Sequence, residues 1–300
     1  MIDQAQGLRT LAAHTAAADH ARLDTILTET RCTGAQRACT TIAVTSGKGG
    51  VGKTNVSINL ALALASLNKR VILFDADLGL ANVNILLGMN PAFSLLDVVE
   101  GRAAIRDVLL DGPGGISVVP GGSGIEKMAN LDSVAFMKLV RELEQLERMC
   151  DFLIFDTGAG IGHIVKTFVK AADRKIVIVT PEPSSLADAY AAVKMAVNAG
   201  GGDIAVIANM VRSEQEGLDT FKRLAALTRR FLGKIPIYLG ALPYDKNVGN
   251  AVRRQFPLFL ENPRAAFSHT LLKIAYRFAG RKDNEASGFF VRLAEFFKRT

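Results

Sequence analysis

Residues 42–54 read Ile42-Ala-Val-Thr-Ser-Gly-Lys-Gly-Gly-Val-Gly-Lys-Thr54, and no other stretch limits so sharply what the chain can fold into. A β-branched run (Ile42, Val44, Thr45) stops at a glycine cluster and resumes as a helix-forming stretch from Asn55 to Leu67. Gly47, Gly52, Lys53 and Thr54 stand at the G-x-x-x-x-G-K-[ST] spacing of a phosphate-binding loop. Glycines let backbone N–H groups close around a phosphate, and the helix that follows adds the positive end of its dipole. The spacing puts Lys53 on the β/γ-phosphates and makes the Thr54 hydroxyl a Mg²⁺ ligand. Gly47, Lys48, Gly49, Gly50, Val51, Gly52, Lys53, Thr54 and Asn55 are thus the expected nucleotide-binding segment.

Lys48 is a second lysine inside the loop, and Lys53 already serves the phosphates. The pattern Lys48-Gly-Gly-Val-Gly-Lys53-Thr54 resembles the deviant Walker A of the MinD/ParA family. That resemblance implies ATP and Mg²⁺, and an ATP-bound homodimer in which Lys48 crosses the interface to the partner's nucleotide.

The rest of the chain agrees with a sheet buried on both faces. Continuous apolar strands of this kind are expected near 41–46, 69–75, 116–120, 152–156, 175–180, 204–209 and 235–239. Helices are expected near 53–67, 136–149, 186–199, 218–232 and 265–279. Alternation of this kind predicts one doubly wound, mostly parallel α/β domain with helices on both faces, a MinD-like P-loop NTPase over 40–280. Residues 1–39 read as a helical arm and linker, and 281–300 as a linker and an amphipathic helix.

Composition narrows the setting. The 300 residues are 49% hydrophobic, enough for a core, with no apolar run near the ~18 residues of a membrane span. The N-terminus has no secretory h-region. Three cysteines without a C-x-x-C pair point to a reducing compartment and away from zinc or iron–sulfur sites. A net charge of +7 and a pI near 9.4 suggest an anionic partner, membrane or nucleic acid.

Carboxylates at strand ends fall in the ligand crevice of such a sheet. Asp75 and Asp77 end the second strand, in Asp75-Ala-Asp-Leu-Gly-Leu-Ala-Asn82, and Asp156 follows four apolar residues in the Walker B manner. Beside a triphosphate such groups hold Mg²⁺ or activate water. The family resemblance assigns Asp77 to the water, Asn82 to its support, Asp75 to the vicinity of the metal, and Asp156 to Mg²⁺ through a water. It also puts Asn209, Pro243 and Asp245 around the adenine.

The two ends separate the relatives. On a helical wheel Phe296, Phe289, Leu293, Phe297, Phe290 and Ala294 cover an arc of about 160°, bordered by Arg292, Lys298 and Arg299. That is the pattern of an interfacial helix, and it resembles the C-terminal membrane-targeting helix of MinD-type proteins; a helix docked on its own core gives the same pattern. Asp3-Gln-Ala-Gln-Gly-Leu-Arg9 resembles the activator motif of the FlhG (FleN) branch. The stretches Thr180–Tyr190, Asp156–Gly160 and Leu242–Asp245 read the same way.

The resemblance implies a slow regulatory ATPase of flagellar number, cytoplasmic and peripheral to the inner membrane. Its implied partners are the SRP-type GTPase FlhF through residues 3–9, a flagellar transcriptional activator, and anionic lipid through 288–300. A cell-division MinD and a ParA-like DNA-partition ATPase are the alternatives, with DNA not favoured.

Overall fold

The computed structural model describes residues 39–77, 82–122, 133–200, 202–280, 289–290 and 292–293. The expected arm and linker over 1–38, part of the segment after Asp77, and most of the tail lie outside the described residues.

The first half contains β1 (Thr40–Ser46), α1 (Lys53–Ala65), β2 (Val71–Ala76), α2 (Val83–Leu86), α3 (Leu95–Val99), α4 (Ile105–Val108), β3 (Leu110–Asp111), β4 (Ser117–Val119) and α5 (Ser133–Met149). The second half contains β5 (Phe152–Ala159), α6 (His163–Ala171), β6 (Arg174–Val179), α7 (Pro183–Ala199), β7 (Asp203–Val211), α8 (Glu214–Leu232), β8 (Ile237–Pro243), α9 (Lys246–Arg253), α10 (Leu258–Glu261) and α11 (Ala266–Ala279). The strands form one sheet in the order β3-β4-β2-β5-β1-β6-β7-β8. Only the edge pair β3–β4 is antiparallel.

Strand alternation divides the core between the two faces. Ile176 and Ile178 of β6 join Leu60, Leu64, Leu271 and Ile274 under α1 and α11. Val177 and Val179 turn the other way, to Ala189, Val193 and Leu224 of α7 and α8. Helix α8 shows how the local sequence sets its limits. Ser213 caps it by accepting from Glu216 N at 3.1 Å, and Gly233 ends it in a left-handed conformation (φ 63°). Its Gly217, Thr220, Leu224 and Thr228 face inward, while Lys222, Arg223, Arg229 and Arg230 are exposed.

Several expected bounds shift, and one short strand was not expected. The last strand starts at Ile237, two residues late, because Pro236 has no N–H for the ladder and Ile235 is left 58% exposed. Strand β7 runs on to Val211 through an irregularity at Asn209–Met210, where Met210 adopts φ 58°. The two-residue strand β3 carries too little pattern to be read in advance.

In its described residues the tail docks on the body. Phe289, Phe290 and Leu293 are fully buried, in the cluster that contains Phe155, Phe168 and Leu146. The Phe289 ring stacks on Phe155 with centroids 4.1 Å apart, and Phe290 N donates to Glu147 Oε1 at 3.0 Å. Arg292, expected at a lipid border, donates to Asp173 Oδ1 at 2.7 Å and to the Ala171 carbonyl at 2.7 Å. The described tail residues therefore face the protein and not solvent. Among the described residues no helix is long and apolar enough to cross a membrane.

Candidate functional site

The C-terminal ends of β1, β2 and β5 bring the predicted residues together. Residues 47–52 wrap between β1 and α1, with Gly50 at φ 79° and Gly52 at φ 84°, values that L side chains avoid. At Gly52 a Cβ would also require the Asn209 amide to move, and at Gly47 it would run into the backbone carbonyl of Asp188. Ser46 Oγ donates to the Lys48 carbonyl at 2.9 Å, which ties the loop to the strand that feeds it.

Three side chains of the first turns of α1 converge on one carboxylate. Asp156, fully buried at the end of β5's apolar run, accepts from Lys53 Nζ at 2.8 Å and Ser57 Oγ at 2.8 Å on Oδ1, and from Thr54 Oγ1 at 2.7 Å on Oδ2. A buried ammonium and a buried carboxylate thus neutralise each other beneath the loop. Ser57 was not anticipated. It lies one helical turn beyond Lys53, on the same face, and that i+4 spacing was the available signal.

Lys48 points elsewhere. Its Nζ lies 3.2 Å from Glu182 Oε2 and 3.2 Å from Ser184 Oγ, at the start of α7, and both side chains of the ion pair are well exposed. Glu182 belongs to a stretch that stood out in the sequence, but its pairing with Lys48 spans 134 positions and has no local signal.

Asp75 sits beside Asp156 in the sheet register, yet its oxygens are engaged by backbone. Oδ2 accepts from Asn82 N at 2.8 Å and Val83 N at 3.0 Å, and Oδ1 from Asp77 N at 3.2 Å. Its position is therefore that of an organiser of the turn after β2. Burial pushes its pKa up to about 6, the backbone N–H groups oppose this, and the Asp156 charge adds to the rise. Asp77 accepts from Asn82 Nδ2 at 3.3 Å, so the expected pair is in contact. A Cβ on Gly158 would come within 3.3 Å of Asp77 Oδ1, which places Asp77 against the segment after Asp156.

A cavity of about 360 Å³ opens beside the loop, lined by Gly52, Asn55, Asn209, Met210, Pro243 and Asp245 among others. All three residues expected around a base thus line one space, and the exposed, positive-φ Met210 joins them unforeseen. Asn209 Nδ2 donates to the Val51 carbonyl at 2.8 Å. Asp245 caps α9 by accepting from Asn247 N at 2.8 Å. A larger cavity, about 520 Å³, lies by Arg174, Asp203 and Ile237 at the starts of β6–β8, and none of these candidate residues lines it.

Chemically the arrangement offers a glycine cradle, a cation that can turn from Asp156 to a phosphate, and a hydroxyl beside a strand-end carboxylate. An apolar cavity of base-accepting size adjoins them. The CobQ/CobB/MinD/ParA nucleotide-binding domain matches residues 42–258. The antiactivator FleN of Pseudomonas aeruginosa is 46% identical over 246 residues, 81% of this chain and 88% of that protein. The flagellum site-determining protein YlxH of Helicobacter pylori is 33% identical over 86% of this chain and 88% of its own. The structure of the septum site-determining protein MinD from Pyrococcus horikoshii, complexed with Mg-ADP, superposes with a TM-score of 0.64 at 25% identity, covering 81% of this chain and 98% of that one.

Proposed function

We propose, from the premise that this chain belongs to the CobQ/CobB/MinD/ParA nucleotide-binding family, that it is an ATP-driven switch regulating flagellar number and placement. The convergence of Lys53, Thr54 and Ser57 on Asp156 under a glycine cradle is the observation that carries the ATPase part. The similarity to FleN and YlxH carries the flagellar part.

The residues fit Mg-ATP, since the loop's positive-φ glycines and Gly47, packed against the Asp188 carbonyl, keep side chains out of the cradle, and the cavity beside it suits a base. Mg²⁺ would supply charge neutralisation on the phosphates. Lys53 would turn from Asp156 to the β/γ-phosphates, and the Thr54 hydroxyl and Asp156 would hold the metal, with Asp75, which fixes the turn, close to it. Asp77, steadied by Asn82, orients the attacking water. Asn209, Pro243 and Asp245 read the adenine edge. Lys48 exchanges Glu182 for the nucleotide of a second copy, so ATP favours the dimer and slow hydrolysis releases it. Residues 3–9 stimulate an SRP-type GTPase of the FlhF kind, and a flagellar transcriptional activator is a second protein partner. The tail reaches anionic lipid at the cytoplasmic face of the inner membrane. Its docked state supports a gate, because Phe155 under Phe289 directly precedes Asp156.

Light scattering with and without Mg-ATP tests the core of this reading. Wild type should double its mass with ATP. Lys48→Ala should bind ATP and stay monomeric, and Asp77→Ala should dimerise without turnover. An unchanged wild-type mass at saturating ATP overturns the switch. A peptide of residues 1–20 that leaves the partner GTPase rate unchanged at saturation removes the FlhF assignment.

A further inference from the structure

Cys39 and Cys150 take no part in the chemistry above. They are 111 positions apart in the chain, yet their sulfurs lie 3.4 Å apart. The fold causes this proximity. Cys39 precedes β1, Cys150 joins α5 to β5, and Thr40 N donates to the Asp151 carbonyl at 2.9 Å. Both thiols are buried, at 3% and 0% exposure. The Cys150 sulfur also lies 3.2 Å from the Leu146 carbonyl, so its position is defined from the helix side as well. Moving from this contact to a covalent bond of about 2.05 Å asks roughly 1.4 Å of the two sulfurs together.

We propose that Cys39 and Cys150 are a modification site, forming a reversible intramolecular disulfide that staples the residue ahead of β1 to the junction of α5 and β5. The oxidant is a small disulfide of the glutathione class. One cysteine thiolate attacks a sulfur of the small disulfide and expels a small thiolate, leaving a mixed disulfide. The second cysteine thiolate attacks the protein-bound sulfur and expels the other small thiolate. The two cysteines lose two electrons and two protons in all, and the small disulfide becomes two small thiols carrying those protons.

Beside the site Arg70, exposed, donates to Asp151 Oδ1 at 2.8 Å, next in the chain to Cys150. Burial makes the reaction wait on opening at the first residue of β1, where strand ends fray. Once closed, the link spans a long loop and so removes entropy mainly from the unfolded chain.

The experiment uses the full chain, with the Cys32→Ser variant in parallel because that thiol lies seven positions from Cys39. Each is equilibrated in glutathione redox buffer, quenched in acid, alkylated, and measured by intact mass and peptide mapping. The expected result in both proteins is two fewer alkyl groups than in the fully reduced, alkylated control, with Cys39 and Cys150 in one cross-linked peptide. The melting temperature should rise by roughly 5–10 °C and return on reduction. Cys39→Ser and Cys150→Ser should show neither change, and the wild-type mapping stands even if a variant folds poorly. Glutathione adducts on single cysteines, a link that needs Cys32, or thiols that stay reduced in mild denaturant each overturn the proposal. A link that forms without raising the melting temperature overturns the stapling.

Discussion

Lys53 is the residue on which binding and stability meet. In the structure its ammonium is buried against Asp156, so its removal takes away a phosphate ligand and leaves a carboxylate buried without its cation. For Lys53→Ala we expect ATP affinity to fall about 10–100-fold, the range of hydrogen bonds to charged groups. The nucleotide-free protein should also lose about 3–5 kcal/mol of stability. Calorimetry and denaturant titration check the two losses, and wild-type affinity would remove the phosphate-loop assignment. Asp75 gives a second prediction. Its folded pKa of about 6 lies above the ordinary aspartate value near 3.8, so the native state binds the extra proton between those values. Stability contributed by this group is therefore greatest at low pH and falls, by about 3 kcal/mol, as pH rises through 4–6. Urea midpoints across that range, without nucleotide or Mg²⁺, should show this loss for wild type and a flatter profile for Asp75→Asn. These residues were legible because spacing alone marks Lys53, Thr54 and the strand-end carboxylates. Ser57 and Glu182 were not. Serine on a helix is common, and the partner of Lys48 is fixed only by how α7 packs beside the loop.

At the scale of elements, the strands with continuous apolar centres and the helices that cover them were readable, since burial on both faces leaves no alternative. The tail was not readable in the same way. An arc of phenylalanines bordered by arginine satisfies a lipid surface and a protein groove equally well. Only the complementary residues decide, and Phe155, Phe168, Glu147 and Asp173 lie on other elements more than a hundred positions away. The seat and the tail can be separated by mutation. Asp173→Asn weakens the ion pair to Arg292 without altering the tail, so nucleotide-independent pelleting with anionic liposomes should rise about tenfold. Asp173 also accepts from Thr41 N and Oγ1, so circular dichroism should accompany the assay. Leu293→Glu unseats the tail as well, but it puts a charge on the face proposed to enter lipid, and it should stay soluble in every state. Identical behaviour of the two variants would mean that one surface does not serve both partners.

For the whole molecule, the docked tail sets the terms of the proposed membrane gate. Burying Phe289, Phe290 and Leu293 in the body is worth roughly 5–9 kcal/mol, as an upper bound. Transfer of the same groups to lipid recovers a similar amount, so for a monomer the exchange is close to neutral and the added order of a free helix weighs against release. A bias of a few kcal/mol then decides the state. In the proposed switch, two tails on one ATP-bound dimer would supply it, because bivalent attachment raises avidity by about 10²–10⁴ without any new contact. Lys298 and Arg299 add about 1 kcal/mol each on anionic lipid, screened by salt, whereas Arg292 first has to leave Asp173. Wild type with ATP should therefore pellet with anionic liposomes at low salt, and the ADP form should remain largely in solution. Lys48→Ala should match the ADP form even with ATP bound, since it lacks the second tail. Adding Asp173→Asn to Lys48→Ala should restore only the weaker, monovalent binding, and raising the salt should abolish that first. Equal pelleting with ATP and ADP at all salt concentrations would break the link between dimer and membrane, and absence of pelleting in every state would leave the groove on the body as the tail's sole partner.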